Sequence, residues 1–343
     1  MVKDLVRKIV GSQNFTKVGD LYRILKKTYI FKFIDLVGNY IFDFKLYYLH
    51  SNVFRLNDYE KIESHIILKY HTIEKGLLHQ DLRYKFGRKN IIILRNLLKK
   101  EIINEKKDNS QIQAAYIAMC DYYELHKNNS IDISDYYPME DFDYFKSHII
   151  VNINSTLNNE YHDYFSNANK DFYQFSHSRS SVRNFSGALV EIKTIEKVVK
   201  LASNAPSVCN RQATKVYYVD NKSLVDDVLK LQGGMTGFTK NIHQLLVVVT
   251  DRSYFYTIGE RNQFYIDGGI FLLNLLYALH YFKIGACPAN WGKQMDADKK
   301  IKHMLDLKSS EKVICLVPIG IPSPNFKTCT SLRRDVKELL KIV

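Results

Sequence analysis

The sequence predicts an α+β protein in two parts, a mainly α-helical N-terminal part and a C-terminal part in which helices alternate with strands. Two observations lead to this prediction. Five of the six prolines and ten of the fifteen glycines lie after residue 175, so few helix-breaking residues interrupt the first half. In that half, apolar residues recur every three or four positions, which is the spacing of one helix face.

The N-terminal part contains clear helical segments. Residues 21–25 and 91–98 place apolar side chains at helical spacing, and the polar runs at 109–110 and 128–130 predict loops. A further polar stretch, 152–159, precedes the change in composition. Since 343 residues suit two domains of about 150 residues each, we predict a helical domain over 1–171 and a second domain over 172–343.

The C-terminal part mixes both element types. Residues 192–202 have helical spacing, whereas 215–219, 245–250 and 313–319 have the composition of strands. These segments predict a sheet with helices packed against it.

One helix in this part is unusual. Residues 270–284 are apolar almost all round, which predicts a helix that is buried centrally or at a subunit interface. Asp267 is placed to cap the start of this helix, and Gly285 its end.

Composition excludes several classes of protein. With 46% hydrophobic and 13% aromatic residues, the chain is neither disordered nor collagen-like. Five cysteines, scattered without a Cys-x-x-Cys pair, argue against a disulfide framework and against a zinc site. We therefore predict a globular protein without a bound metal, in a reducing cytoplasm.

Charge and hydropathy exclude further partners. The longest uncharged apolar run, 268–282, has 15 residues, fewer than the roughly 18 that a membrane-spanning helix needs. The net charge is +13, of which residues 176–343 carry +10. A solvated basic surface accounts for this excess. No nucleic-acid-binding signature accompanies this charge. We expect no transmembrane segment and no nucleic-acid partner, and a small phosphorylated ligand is compatible with the charge.

Several common site motifs are absent. No Gly-x-Gly-x-x-Gly follows a predicted strand, and Gly233-Gly234-x-x-Gly237 has the wrong spacing for a phosphate-binding loop. His71 and Glu74 share a helix face, but a di-iron bundle needs a second such unit and a zincin needs a second histidine. We interpret this pair as structural.

The most informative segment is Arg179-Ser180-Ser181-Val182-Arg183. Its two guanidinium groups and two hydroxyls match the oxygens of a phosphate monoester. A solvated turn has the same composition, so this segment alone does not decide its role.

Four later segments follow it in order. Asn210 and Gln212 put two amides on one face of a predicted extended segment, which suits the edge of a polar heterocycle. After the apolar helix come residues 284–291, then Gly-Ile-Pro at 320–322, and finally the basic pair 333–334.

In this order, the segments resemble the FMN-dependent nitroreductase family over roughly residues 172–343. That family carries an Arg-x-Ser-x-Arg/Lys-x-Phe segment, a Pro-Ser-x-x-Asn-x-Gln segment, a strand ending in Gly-x-Pro and a C-terminal basic pair. The resemblance implies a nitroreductase-like mixed or antiparallel sheet flanked by helices. The segment 71–77 is similar to one in longer nitroreductase-like proteins of bacterial surface-polysaccharide clusters.

The resemblance also implies an FMN site assembled from separate segments. Arg179 and Ser181 would hold the phosphate with Arg333, and Arg183 would lie near flavin N1 and the C2 carbonyl, where a cation stabilises the charge of reduction. The implied cofactor-binding residues are Arg179, Ser180, Ser181, Arg183, Ser207, Asn210, Gln212, Pro288, Ala289, Asn290, Trp291 and Arg333.

The remaining roles concern the ring. Ser207, Asn210 and Gln212 would bind the ribityl chain and the pyrimidine edge. Residues 288–291 would pass over the ring, with the backbone N–H of Asn290 near N5, the atom that accepts hydride. Arg183 and Asn290 are therefore the implied catalytic residues.

The sequence also departs from the family pattern. Ala213 and Thr214 stand where the family has Pro-Trp, and Trp291 stands where many members have glycine. Many members supply an asparagine and a lysine from the loop before the second strand. The corresponding loop here, 233–240, contains Lys240 in no clear register.

The resemblance implies a homodimeric FMN-dependent oxidoreductase that uses NAD(P)H to reduce a flat or conjugated acceptor by ping-pong hydride transfer. Two alternatives stay open. One is a flavin oxidase or dehydrogenase working in the opposite direction, and the other is a non-catalytic assembly protein, with or without FMN. Residues 22–49 are basic and aromatic, which suits weak membrane-surface contact or, as we expect, a packed helix pair.

Overall fold

The computed structural model describes residues 28–343 as two compact units. One unit contains the chain up to Leu56 together with Tyr256–Arg261, and the other contains Asn57–Phe255 and Asn262–Val343. The helices of the described residues are α1 (Tyr29–His50), α2 (Tyr59–Leu77), α3 (Arg88–Leu98), α4 (Glu101–Asn104), α5 (Ser110–Asn128), α6 (Met139–Ser147), α7 (Tyr161–Tyr164), α8 (Phe172–Ser178), α9 (Ile192–Ala202), α10 (Lys222–Gln232), α11 (Gln263–Tyr281), α12 (Met295–Met304) and α13 (Val336–Leu339). The strands are β1 (Thr156–Glu160), β2 (Thr214–Val219), β3 (Gln244–Asp251), β4 (Gly285–Ala286), β5 (Ala289–Asn290), β6 (Glu311–Gly320) and β7 (Asn325–Cys329).

The described part of the smaller unit contains the long helix α1 and the short segment Tyr256–Arg261. The guanidinium of Arg261 binds both carboxylate oxygens of Asp43, each at 2.8 Å. No residue of α1 is buried. The expected helix pair within residues 22–49 is wrong for the described part, because one uninterrupted helix runs through it, and residues 22–27 lie outside the described residues.

The larger unit begins with a layer of helices, α2 to α6, around their own apolar core. The predicted helix at 91–98 is confirmed as α3, and its four periodic apolar side chains are buried. The loops predicted at 109–110 and 128–130 flank α5, which begins at Ser110. The predicted helical spacing at 21–25 lies outside the described residues.

A five-stranded antiparallel sheet forms the centre of the larger unit. Its strand order is β2-β3-β6-β4, and β5 also pairs with β6. All three predicted strands are confirmed as β2, β3 and β6, and the predicted helix at 192–202 is confirmed as α9. The predicted α+β class with an antiparallel sheet and preceding helices is therefore confirmed.

Helices cover both faces of this sheet. Leu245, Val247 and Val249 of β3 belong to the apolar cluster that includes α10 and α12, whereas Leu246 and Val248 pack with α9 and α11. Because side chains alternate across a strand, a strand that is buried on both faces is apolar throughout. Strand β3 is fully buried, and its residues 245–249 are accordingly all apolar.

The predicted ends of the apolar helix are wrong. It runs over Gln263–Tyr281, so Asp267 lies inside it rather than at its N-cap. At the other end, the chain leaves the helix through Lys283, whose φ of 57° takes the left-handed position expected of the glycine. Gly285 instead begins β4. Among residues 28–343, none of the helices has the length and apolar character that a membrane crossing requires.

A second, two-stranded sheet pairs β1 with β7, with Thr156 opposite Cys329 and Glu160 opposite Asn325. Part of the polar stretch 152–159 is therefore a strand. Its polar composition did not indicate that it pairs with a strand far away in the sequence. The domain boundary predicted at residues 171/172 falls inside the larger unit, and the division into two domains there stays a prediction.

Candidate functional site

The segment from Arg179 to Phe185 follows α8 and is fixed to the central sheet. The Val182 N–H donates to the carbonyl of Ala286 at 2.9 Å, and Phe185 forms a bridge with Pro322. Val182 and Phe185 are buried in the core. Arg179 and Ser181, by contrast, are only half-buried.

Arg179, Ser180, Ser181 and Arg333 line one cavity of about 610 Å³. The end of β7 and the residues after it, 328–331, form another part of its wall. None of the described residues accepts a hydrogen bond from the Arg179 side chain. Five guanidinium donors are thus available for an anion in the cavity.

A buried tyrosine fixes the backbone of this segment. The Tyr164 hydroxyl donates to the carbonyl of Ser180 at 2.9 Å and accepts from the Ser180 N–H at 3.0 Å. Arg179 and Ser181 flank this fixed point, so the positions of their side chains are restrained.

Arg183 lies behind the cavity wall. It is 8% exposed, and its Nη1 lies 3.9 Å from the sulfur of Cys329, which lines the cavity. Its Nε has no partner among the described residues. A buried, unpartnered guanidinium N–H is costly without an acceptor, so this position fits an acceptor group of a ligand.

The C-terminal arginines have different environments. Arg333 is exposed and its Nη1 donates to the carbonyl of Ser331 at 3.0 Å. Arg334 instead binds Glu63 at 2.6 Å and Glu338 at 3.1 Å. Of the basic pair, Arg333 is thus the member that faces the cavity, and Arg334 has a structural role.

Ser207, Asn210 and Gln212 lie at a different place and do not line this cavity. The expected extended segment is wrong, because Cys209, Asn210 and Gln212 all have left-handed backbone angles, with φ of 49–55°. The two amides are nevertheless together, since Gln212 Nε2 donates to Asn210 Oδ1 at 3.1 Å. Ser207 and Gln212 line a small cavity of about 110 Å³ with Asp267.

Asp267 anchors this turn. Its carboxylate is buried, accepts from Gln263 Nε2 at 2.8 Å and faces the backbone N–H of Val208 at 3.3 Å. The carboxylate therefore serves a neighbouring loop rather than the helix N-terminus.

Residues 288–291 pass along β6. Ala289 and Asn290 pair with it as the short strand β5, and the carbonyl of Asn290 accepts from Gln232 Nε2 at 2.9 Å. Trp291 is 4% exposed and its indole N–H donates to Asp298 at 2.6 Å. The side chain of Trp291 therefore belongs to the core, and only its backbone is free to border a ring.

His71, Glu74 and Cys329 bring three potential metal ligands within 4.8 Å of one another. His71 Nδ1 lies 3.1 Å from Glu74 Oε2, as a hydrogen-bonded pair on α2. Burial raises the pKa of the Cys329 thiol to about 12. These contacts support the structural interpretation of His71 and Glu74.

Several site residues escaped the sequence analysis. Tyr164 and residues 328–330 line the cavity. No local pattern could link them to Arg179, because these positions are brought together by long-range packing.

Comparison with known proteins identifies a related family over part of the chain. The family model described as "Nitroreductase family" matches residues 177–236. This part of the chain is similar to the nitroreductase family. The matched segment contains Arg179, Arg183 and the 207–212 turn, so the sequence-based resemblance is confirmed there.

Individual relatives are distant. An iodotyrosine deiodinase from Hydra vulgaris is 22% identical over 195 residues, which cover 50% of this chain and 72% of the relative. An FMN-dependent nitroreductase from Clostridium difficile has 22% identity and a TM-score of 0.40, covering 48% of this chain and 92% of that one. A nitroreductase-like protein from Streptococcus mutans has 20% identity and a TM-score of 0.43, covering 50% and 98%.

His280 supports the segment from behind. Its ring packs against Tyr164 and Phe165, and its Nε2 lies 2.8 Å from the hydroxyl of Ser178. That hydroxyl donates to the Phe175 carbonyl at 2.9 Å, so it accepts from a neutral His280 ring. Burial, followed by the charge of Arg179, lowers the pKa of His280 to about 4.

This shift predicts a pH-dependent stability. Between pH 6.5 and about 4, the unfolded chain binds a proton at His280 that the folded chain does not, so stability falls as the pH falls through this window. In His280→Gln, the loss in unfolding free energy between pH 7 and pH 4.5 should be smaller by about 2 kcal/mol. Urea unfolding at each pH measures this difference.

His303→Gln is the matched control, because His303 is exposed. It should retain the pH dependence of the parent. An identical pH dependence in all three proteins would show that His280 is not buried as a neutral ring.

Proposed function

We propose that the chain is an FMN-dependent oxidoreductase whose cofactor phosphate binds in the cavity of Arg179, Ser181 and Arg333. The observation that carries this proposal is that the consecutive residues Arg179, Ser180 and Ser181 and the distant Arg333 line one cavity of about 610 Å³. Guanidinium and hydroxyl donors suit a phosphate. Bound FMN would take hydride from NAD(P)H and pass it to a flat or conjugated acceptor.

The chain's own residues would bind and polarise the cofactor. Arg179 supplies unpaired donors, and Tyr164 fixes the backbone from which they project. Arg183 offers a buried N–H without a partner, which supports its proposed place near flavin N1 and the C2 carbonyl. A fixed cation there favours the charge that reduction brings.

We also propose a homodimer, in which a second copy completes the site. Ile266, Ile270 and Leu273 form an exposed apolar stripe on α11, with exposed fractions of 54%, 38% and 51%. Leu273 lines the phosphate cavity, whereas Asp267 on the same helix holds the 207–212 turn. Asp267 and Leu273 lie about 9 Å apart along the helix, at 1.5 Å per residue.

A two-fold axis near Ile270 would cross two antiparallel copies of this stripe. In such an isologous interface, a feature on one side of the axis faces the feature on the other side in the second copy. The 207–212 turn of one protomer would therefore lie opposite the phosphate cavity of the other. Asn210 and Gln212, which do not line the cavity of their own chain, would then reach the partner's ring. This arrangement supports their proposed roles.

The direction of the reaction is proposed as reduction of an acceptor. A flavin oxidase or dehydrogenase would use the same cofactor contacts, and a non-catalytic FMN carrier would use them without turnover. Purified protein that is yellow and loses its colour with NAD(P)H is a reductase, whereas yellow protein that stays oxidised supports the alternatives. A place in surface-polysaccharide metabolism rests on the resemblance of residues 71–77.

The two arginines should have separable effects. Arg179→Gln should weaken FMN binding about tenfold or more, because charge-assisted hydrogen bonds to the phosphate are lost. Riboflavin has no phosphate, so its affinity for this variant should equal its affinity for the parent. Arg183→Ala should retain weaker FMN binding and slow the reduction by NAD(P)H. Fluorescence titration and stopped-flow absorbance measure these effects.

Arg83→Gln, an exposed substitution in a loop, is the control and should match the parent in both assays. If Arg179→Gln and Arg183→Ala also matched the parent, the placement of FMN in this cavity would be wrong.

The dimer has its own test. Ile270→Glu would place a charge in the centre of the proposed interface, where it has no partner, and should convert a dimer into a monomer of 40.1 kDa. Light scattering after size-exclusion chromatography measures the mass. Leu189→Glu, at an exposed apolar position outside the stripe, should stay dimeric. A parent that is monomeric at all concentrations contradicts the proposal.

A further inference from the structure

Helix α1 has a polar face that is held by its own unit. The polar side chains on this face recur at helical spacing and are Lys32, Asp35, Asn39 and Asp43. The carboxylate of Asp43 accepts two hydrogen bonds from the guanidinium of Arg261, each at 2.8 Å. The segment Tyr256–Arg261 is therefore attached to the polar side of α1.

The opposite face of α1 is apolar and exposed. At 3.6 residues per turn, seven side chains form one stripe. We call this stripe the apolar face, and its residues are Ile30, Phe33, Ile34, Val37, Ile41, Phe44 and Tyr48. Their exposed fractions range from 41% to 69%. A helix of a globular protein usually turns its apolar stripe toward a core, so the reverse orientation of α1 indicates that another body covers this face.

Aromatic rings extend the apolar face beyond the end of the helix. Phe44 and Tyr48 stack with ring centroids 6.2 Å apart, and the ring of Tyr48 lies 4.9 Å from that of the exposed Phe54. The helix itself is about 33 Å long at 1.5 Å per residue. A continuous apolar surface along such a length is rare on a soluble monomer and marks an interaction site.

The chain that precedes α1 is basic. Residues 1–27 contain seven lysines and arginines but only two acidic residues, and Lys26 and Lys27 stand directly before the described part of the chain. Such a segment is complementary in charge to anionic lipid headgroups. Phenylalanine and tyrosine rings suit the boundary between headgroups and acyl chains. Charge and composition therefore both favour a lipid surface as the occupant of the apolar face.

The charges of α1 favour a helix that lies in the plane of the membrane. Lys32, Asp35, Asp43 and Lys45 are spread along its length, and each would cost free energy among acyl chains. With the helix in the plane, the polar face stays in water while the apolar face enters the boundary region. Lys45 borders the apolar face and is long enough to extend its ammonium group to the headgroups.

A second copy of the chain fits the apolar face less well. A pair of helices prefers aliphatic side chains at its seam, whereas Phe33, Phe44 and Tyr48 place three aromatic rings on this face. Pairing would also bring two basic segments of residues 1–27 into one assembly, where their charges repel each other. An anionic surface attracts the same segments.

We propose that the apolar face of α1 docks on the surface of an anionic lipid bilayer, with the helix in the membrane plane and the basic residues 1–27 adding electrostatic attraction. This inference goes beyond the proposed function and does not depend on it. The docking residues belong to the smaller unit, whereas the residues that line the phosphate cavity all belong to the larger one.

Vesicle flotation tests this proposal. The parent protein should bind vesicles of phosphatidylcholine and phosphatidylglycerol in equal amounts about tenfold or more tightly than vesicles of phosphatidylcholine alone. Added salt should weaken binding to the anionic vesicles, because it screens the attraction. Ile41→Glu should weaken that binding about tenfold or more, since a carboxylate resists transfer into the acyl boundary and is repelled by anionic headgroups.

Leu68→Glu is the matched control. Leu68 lies within α2 and is 63% exposed, as is Ile41 within α1, so both variants lose an exposed aliphatic side chain and gain one negative charge. Leu68→Glu should bind anionic vesicles as the parent does. Without vesicles, both variants should melt at the temperature of the parent, because neither side chain is buried.

Three results would overturn the inference. They are a parent that does not bind anionic vesicles, equal binding of the parent to both kinds of vesicle, and equal binding of Ile41→Glu and the parent. In the third case, a mass of Ile41→Glu below that of the parent in light scattering would show that a second copy covers the apolar face.

If Ile41→Glu does not fold, amide hydrogen exchange of the parent decides. Anionic vesicles should slow exchange within residues 29–50, and unchanged exchange there overturns the inference. The proposed function has a separate readout, because a parent that binds no FMN refutes that function whatever the outcome with vesicles.

Discussion

The larger unit depends on one constraint, which is that several cations are held close together without carboxylate partners. Arg179 and Arg333 face one cavity, and Arg183 is buried behind its wall. Mutual repulsion and the loss of hydration both oppose this arrangement. It persists because neighbouring residues are fixed, Ser180 by Tyr164 and Arg334 by Glu63, and it makes the cavity suitable for an anionic group.

The C-terminal segment couples the helical layer to the sheet and thereby positions Arg333. Strand β7 pairs with β1, and the chain then crosses to the helices, where Gln111 donates to the Leu332 carbonyl at 3.0 Å. Arg334 binds Glu63, whose side chain is only 5% exposed. An unpaired buried carboxylate would be strongly destabilising, so this ion pair fixes the register of the segment that carries Arg333.

Local patterns predicted much of this fold, whereas contacts distant in sequence escaped prediction. Helices α3 and α9 follow from apolar spacing, and strands β2, β3 and β6 follow from their strand-like composition. Strand β1 has the sequence Thr-Leu-Asn-Asn-Glu, and its pairing is set by tertiary context. The left-handed backbone at Cys209, Asn210 and Gln212 has no sequence signal beyond the tolerance of asparagine for that conformation. The resemblance indicated Arg179 and Arg333 for one phosphate, and the shared cavity brings them together.

The most direct test of this account is a calorimetric titration of flavin-free protein with FMN and with riboflavin. The account predicts one FMN per chain, bound about tenfold or more tightly than riboflavin, because only FMN presents a phosphate to Arg179 and Arg333. Absence of FMN binding, or equal affinities for the two flavins, would contradict the claim that this cationic cavity is a phosphate site of a flavin cofactor.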